Sequence, residues 1–145
     1  MRGEGPSFNM LASATGLAKM AAYMANNGSF GVKQLLSPDT IQEFHSNPDT
    51  KVQLPFGMRA TFTRGGAFDY NPKHLNTVAR PQHTYINGFS NEFEHHCTST
   101  RNGWYGWMGL GGSVMQWHPE LKIGFGYATT DLFATDMANY RIGIL

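Results

Sequence analysis

His95-His96-Cys97, His118-x-Glu120 and Gly111-Gly112-Ser113 are the stretches of this 145-residue chain whose side chains could do chemistry. A histidine pair beside a thiol could supply metal ligands, with His83 or His118 completing a tetrahedral set. Adjacent strand residues point to opposite faces, however, and the chain has neither a second cysteine nor a His-x-x-x-His pair. No metal and no cofactor is therefore expected. His118-x-Glu120 matches half of a zinc-deaminase signature whose Pro-Cys-x-x-Cys half is missing, so it reads as turn chemistry. Ser113 fails the Gly-x-Ser-x-Gly pattern because Met115 holds its last place, and a strand serine without a positioned base is inert. No Gly-Lys-Ser/Thr follows any glycine cluster, which excludes a phosphate loop of that type.

The stretch most able to shape a site runs from Gly103 to Ala128. Val114 and Gln116 fall on one face of an extended strand, and Ser113, Met115 and Trp117 on the other. After the break at His118-Pro119-Glu120, Ile123, Phe125 and Tyr127 share a face opposite Lys122, Gly124 and Gly126. That patterning predicts an antiparallel hairpin. Three glycines in Gly109-Leu110-Gly111-Gly112 give up side-chain packing, which is useful where something must approach the backbone closely. Beside Trp107, such a strand could form one wall of a substrate cleft.

Trp107-Met108-Gly109-Leu110-Gly111-Gly112-Ser113, followed by a hairpin ending in Gly124-Phe125-Gly126-Tyr127, resembles the third motif and its strand pair in serine beta-lactamase-related hydrolases. That family includes class C beta-lactamases, DD-peptidases, their esterase relatives and animal beta-lactamase-like proteins. Its members usually carry His or Lys, a small residue and Gly at the first three positions. Trp107 departs from that, as it does in some esterase-like members. Pro6-Ser7 leading to Ala14, Leu17-Ala18, Ala25-Asn26-Asn27-Gly28 and Leu35-Leu36-Ser37-Pro38 is similar to the helix pair preceding motif three.

The resemblance implies an α+β chain, a partial beta-lactamase/transpeptidase-like fold. A helical part over about 6–47 would precede a sheet part over about 52–145, in one partial domain spanning 1–145. It also implies roles. The backbone N–H of Leu110 would donate to the oxyanion of an ester or amide intermediate, and Trp107, Met108 and Gly109 would contact the substrate. Trp107 is read as flanking the acyl group, with plain core packing as the alternative; Trp117 is read as core.

The family's nucleophile is a Ser paired with a Lys one helical turn later, because neither residue is potent until the pair is within hydrogen-bond reach. Every serine here fails that test: Met10, Gly16, Val32, Thr40, Asp49, Phe93, Asn102 and Gln116 stand three residues after the eight serines. Tyr85-Ile86-Asn87 spells the family's Tyr-x-Asn motif, but after the helix pair instead of before it, and reads as coincidence. The expectation is a C-terminal portion of a longer hydrolase, with the nucleophile helix and two strands upstream of Met1. The alternative is a non-catalytic binding or scaffold protein that retains part of the fold.

The elements that would hold this strand are legible in part. Ser13 caps a helix whose Leu17, Met20, Ala21 and Met24 recur at i, i+3, i+4 and i+7, with Asn26-Asn27-Gly28 as its stop. Met10, Met20 and Met24 are read as core-filling. Ser37 caps a second helix with Pro38 at its first position, Ile41 and Phe44 inward, and Asn47-Pro48 ending it. Residues 1–11 read as a loop. Met58, Ala60 and Phe62 alternate with Arg59, Thr61 and Thr63 in a short strand ending at Gly65-Gly66. From Phe68 to Arg101 no period persists, and the segment is either a cleft border or a surface insertion. Asp131 to Tyr140 begins a helical pattern, read as a truncated C-terminal helix.

Composition sets outer limits. A hydrophobic content of 41% and an aromatic content of 13% argue for a packed core. A net charge of +1 gives no electrostatic case for nucleic acid, and no apolar run approaches a membrane span. One cysteine excludes an internal disulfide and leaves the compartment open. With upstream strands missing, the sheet edge and the apolar faces of Trp104 and Phe125 would lack partners, so self-association is expected.

Overall fold

Two serines start the helices. Ser13 Oγ accepts from the Gly16 N–H (3.1 Å) and Ser37 Oγ from the Thr40 N–H (3.1 Å), each satisfying a donor that the first turn leaves without a partner. The computed structural model describes residues 10–53, 58–71, 73, 101–109 and 112–130. Leu110, Tyr85-Ile86-Asn87, His95-His96-Cys97 and the segment after 130 lie outside the described residues.

Helix α1 spans Ala14–Ala25 and stops where Asn27 (φ 54) and Gly28 (φ 82) enter the left-handed region. The Gly28 N–H then closes back on the Tyr23 carbonyl at 2.8 Å, a Schellman-type end. A two-stranded hairpin follows, β1 (Ser29–Phe30) with β2 (Lys33–Gln34). Helix α2, Pro38–His45, has Pro38 at its start and Asp39 in its positive first turn. Six antiparallel strands complete the described residues: β3 (Asp49–Gln53), β4 (Met58–Phe62), β5 (Phe68–Asp69), β6 (Tyr105–Met108), β7 (Val114–His118) and β8 (Ile123–Tyr127). Their spatial order is their chain order, each strand pairing the next. The chain is α+β.

The expected hairpin stands, with Gln116 opposite Phe125 and Trp117 opposite Gly124. Partners in register share a face, so Trp117, Met115, Gly124 and Gly126 look one way and Val114, Gln116, Phe125 and Tyr127 the other. Helix α1 lies on the first face. A Cβ on Gly124 would sit 2.3 Å from Ala22 N, and one on Gly126 would sit 2.4 Å from Ala18 N. The helix backbone therefore rides directly on two bare strand positions.

That close approach explains one correction. Three residues of the expected stripe are buried, and Ala25 joins them in place of Met20. Leu17, Ala21, Met24 and Ala25 are buried, whereas Met20 is 50% exposed and Met10 is exposed too. Alanines allow the short helix–sheet distance that a Met side chain would prevent, so two of the three methionines are not core-filling.

Ala21, Met24, Ala25, Ile41, Ala67 and Trp117 form the core between helices and sheet, with Leu36, Phe44, Tyr105 and Met115 packed around them. Burying a side chain of Trp117's size is worth roughly 1.5–3 kcal/mol. A second core on the opposite face gathers Ala60, Phe68 and Tyr70 with Phe62, Trp104 and Met108. Trp104 therefore has partners, contrary to expectation, and it meets His118 edge-to-face at 5.6 Å. Burial on both faces also explains why Arg59, Thr61 and Thr63, expected on a polar strand face, are all buried. Among the described residues no helix is long and apolar enough to cross a membrane.

Candidate functional site

Strand β6 carries Trp107 and Met108 beyond the reach of its neighbour. Strand β5 pairs with it at Gly106 and Tyr105, whereas β7 runs alongside through Met108↔Val114. The next residue, Gly109, donates its N–H to the Ser113 carbonyl (2.7 Å), and its own carbonyl accepts from the Gly112 N–H (3.0 Å). Gly112, which closes that bond, sits at φ 93, in the left-handed region that favours glycine. Gly112 is thus required by the turn.

Gly109 has a different environment. A Cβ there would meet only the Ser113 carbonyl oxygen, at an ordinary 3.5 Å, so no described neighbour demands glycine at this half-buried position. Trp107 is 52% exposed, with its ring 5.5 Å from Phe62 and 6.4 Å from Phe68. The half-exposed indole therefore caps the edge of the second core at the end of the motif strand. Met108 packs against the Ala60–Phe68–Tyr70 cluster. Trp107, Met108 and Gly109 are thus brought together at one strand end; Leu110 lies outside the described residues.

Sequence reasoning missed a histidine. His45, at the end of α2, accepts from Trp117 Nε1–H through Nε2 (2.8 Å), which leaves Nδ1 to donate to the Ile41 carbonyl (2.8 Å). Tyr105 crosses its ring edge-on at 4.5 Å. Both nitrogens are engaged in the neutral form, so this cluster fixes α2 against the sheet. Burial lowers the His45 pKa below the ordinary 6.5, opposed by the Ile41 hydrogen bond and the charge of Asp69. Burial, then Asp69 and Glu120, raises that of Tyr105.

The lowered value sets a pH dependence. Below 6.5 the unfolded chain takes up the proton more readily than the folded one, so the His45 contribution is present above that pH and is lost as pH falls toward the folded value. The urea midpoint is expected to drop between about pH 7 and about pH 5, and His45→Gln to flatten that part of the profile. Parallel profiles for the two proteins would contradict it.

His118 behaves as turn chemistry: its Nδ1 accepts from the Leu121 N–H at 3.2 Å. Among the described residues no three His, Cys, Asp or Glu side chains are placed to hold a metal ion. A scan against protein-family models matches none, and a search of curated proteins finds no match.

Proposed function

We propose that this chain supplies the third-motif strand and oxyanion side of a beta-lactamase-related serine hydrolase acting on small esters or amides. The observation that carries the reading is the end of β6: Trp107-Met108-Gly109 continues past its pairing with β5, beside an exposed indole and a tight glycine turn. The meander β6–β7–β8 with a helix laid over its last two strands supports it as well.

In this reading a serine Oγ from a Ser-x-x-Lys helix attacks the carbonyl carbon and gives its proton to the lysine. The carbonyl oxygen, now an oxyanion, accepts from the Leu110 N–H and from the N–H of that serine. Collapse expels the alcohol or amine with the proton, and water then releases the acid and frees the serine. Trp107 flanks the acyl group as an apolar wall. This chain has no Ser-x-x-Lys, so the attacking hydroxyl comes from another segment, which would dock along the edge of β8 away from β7.

A nitrophenyl-ester assay tests this on the chain alone and on any longer product that carries such a segment. Turnover by the longer product and none by the chain is expected. No turnover by either favours the non-catalytic scaffold, and turnover by the chain alone, abolished by Ser113→Ala, would overturn the assignment.

A further inference from the structure

On the sheet face opposite the helices, the guanidinium of Arg101 is buried. Arg101 is 6% exposed, and its Nη1 and Nη2 are buried with no hydrogen-bond partner among the described residues. Those two nitrogens hold four of the five guanidinium N–H donors. A buried charge is retained where an opposite charge or strong acceptors meet it. The described carboxylates do not. Asp49 pairs with Lys51 and Glu43 with Arg64, while Asp39 and Glu120 are exposed. Asp69 alternates with Phe68 and Tyr70 and so looks toward the helix face, where its charge acts on His45 and Tyr105.

The surroundings hold the guanidinium in place. Its carbon lies 5.7 Å from the centroid of the Tyr70 ring, whose face attracts a cation but offers no lone pair for the N–H fork. Tyr70 is fixed at both ends. Its hydroxyl accepts from Gln116 Nε2 (2.7 Å), and its N–H donates to the Trp104 carbonyl (3.2 Å). Trp104 in turn donates its N–H to the Arg101 carbonyl (3.1 Å), which ties the arginine main chain to the same platform. A rigid fork with unmatched donors fits two oxygens of one carboxylate or phosphate.

We propose that Arg101, seated over Tyr70, is the anchor of a binding site for a small oxyanion, a carboxylate or phosphate group. The site is separate from the end of β6 and does not depend on the hydrolase reading. The occupant supplies the opposite charge that the described residues do not, so binding stabilises the folded chain.

The test is thermal unfolding of the full chain titrated with sodium phosphate and, separately, with sodium acetate, at ionic strength held constant with sodium chloride. A Tm rise of about 5 °C is expected once the bound anion is in hundredfold excess over its Kd. A response to acetate alone assigns a carboxylate, one to phosphate alone a phosphate, and one to neither overturns the proposal. Arg101→Met is expected to raise the anion-free Tm, by removing an uncompensated buried charge, and to abolish the response. A lower anion-free Tm would mean that a carboxylate of the chain itself already neutralises the arginine; a retained response would place the anion elsewhere. Either result overturns the proposal. Should Arg101→Met fail to fold, Arg101→Lys keeps the charge but not the fork. Loss of most of the response then supports the site, and an unchanged response sinks it.

Discussion

Gly124→Ala and Gly126→Ala are each expected to destabilise the chain by about 2–3 kcal/mol. A glycine in a strand ordinarily weakens it, and alanine would ordinarily add roughly 0.5–1 kcal/mol. Here the sign reverses because of what lies above. The added carbon on Gly124 would meet Ala22 N at 2.3 Å, Ala21 C at 2.6 Å and Ala22 Cα at 2.7 Å. On Gly126 it would meet Ala18 N at 2.4 Å and Ala14 O at 2.5 Å. All of these are helix backbone, which cannot swing aside as the tip of a long side chain can. The helix would have to lift, loosening Leu17, Ala21 and Ala25 from the sheet. Gly16→Ala provides a control of opposite sign. Its Cβ meets only Ser13 Oγ at 3.4 Å, and a helical Gly→Ala is worth about 1 kcal/mol of added stability. Urea unfolding monitored through Trp117 reads all three. A neutral or stabilising result at Gly124 and Gly126 would mean that α1 does not sit on β8.

If the proposed function holds, Leu110→Pro, made in any longer product that carries a Ser-x-x-Lys segment and turns over ester, is expected to lower kcat by about 10²–10³-fold with little change in KM. Leu110 follows Gly109 in the chain, and proline in its place carries no N–H. Gly109 before it keeps its N–H bond to the Ser113 carbonyl. The substitution therefore deletes one N–H. If that N–H meets the oxyanion, its loss is felt in the transition state, on the order of 2.7–4 kcal/mol, and hardly at all in substrate binding. Gly109→Ala separates backbone from space, since the structure leaves room for its methyl group within the protein. A raised KM there would report a substrate lying against Gly109. An unchanged kcat in Leu110→Pro would remove the oxyanion role from the proposal.

What could be read in advance is local in origin. Ser13, Ser37 and Pro38 start helices because a cap acts within three residues of itself, and Asn27-Gly28 stops one by left-handed backbone. The β7–β8 hairpin shows as alternation interrupted at His118-Pro119-Glu120, because a strand's faces repeat every second residue. Strands β3 and β5 escape such reading. Asp49–Gln53 has no apolar alternation, and Phe68–Asp69 is two residues long, so each is defined by its partner across the sheet.

Other features belong to the tertiary structure because they join residues far apart in the chain. The glycines read as open to close approach were those at 109–112, yet the positions that helix backbone crowds are Gly124 and Gly126, under a helix about a hundred residues earlier. Nothing near Met20 tells it apart from Met24; the packing angle of α1, set by those two bare positions, exposes one and buries the other. His45 and Trp117 are 72 residues apart, and Gln116 and Tyr70 are 46 apart, so neither bond leaves a spacing to notice. The sequence by itself determined the caps and the hairpin, since those follow from each residue's own backbone preference and from short periods, while the α+β class is what the resemblance implied. Only the tertiary structure decided which face of α1 is buried, that both faces of the sheet are covered, and that Arg101 lies buried without an acceptor among the described residues. Register, close approach and desolvation are properties of neighbours in space, and the chain order does not contain them.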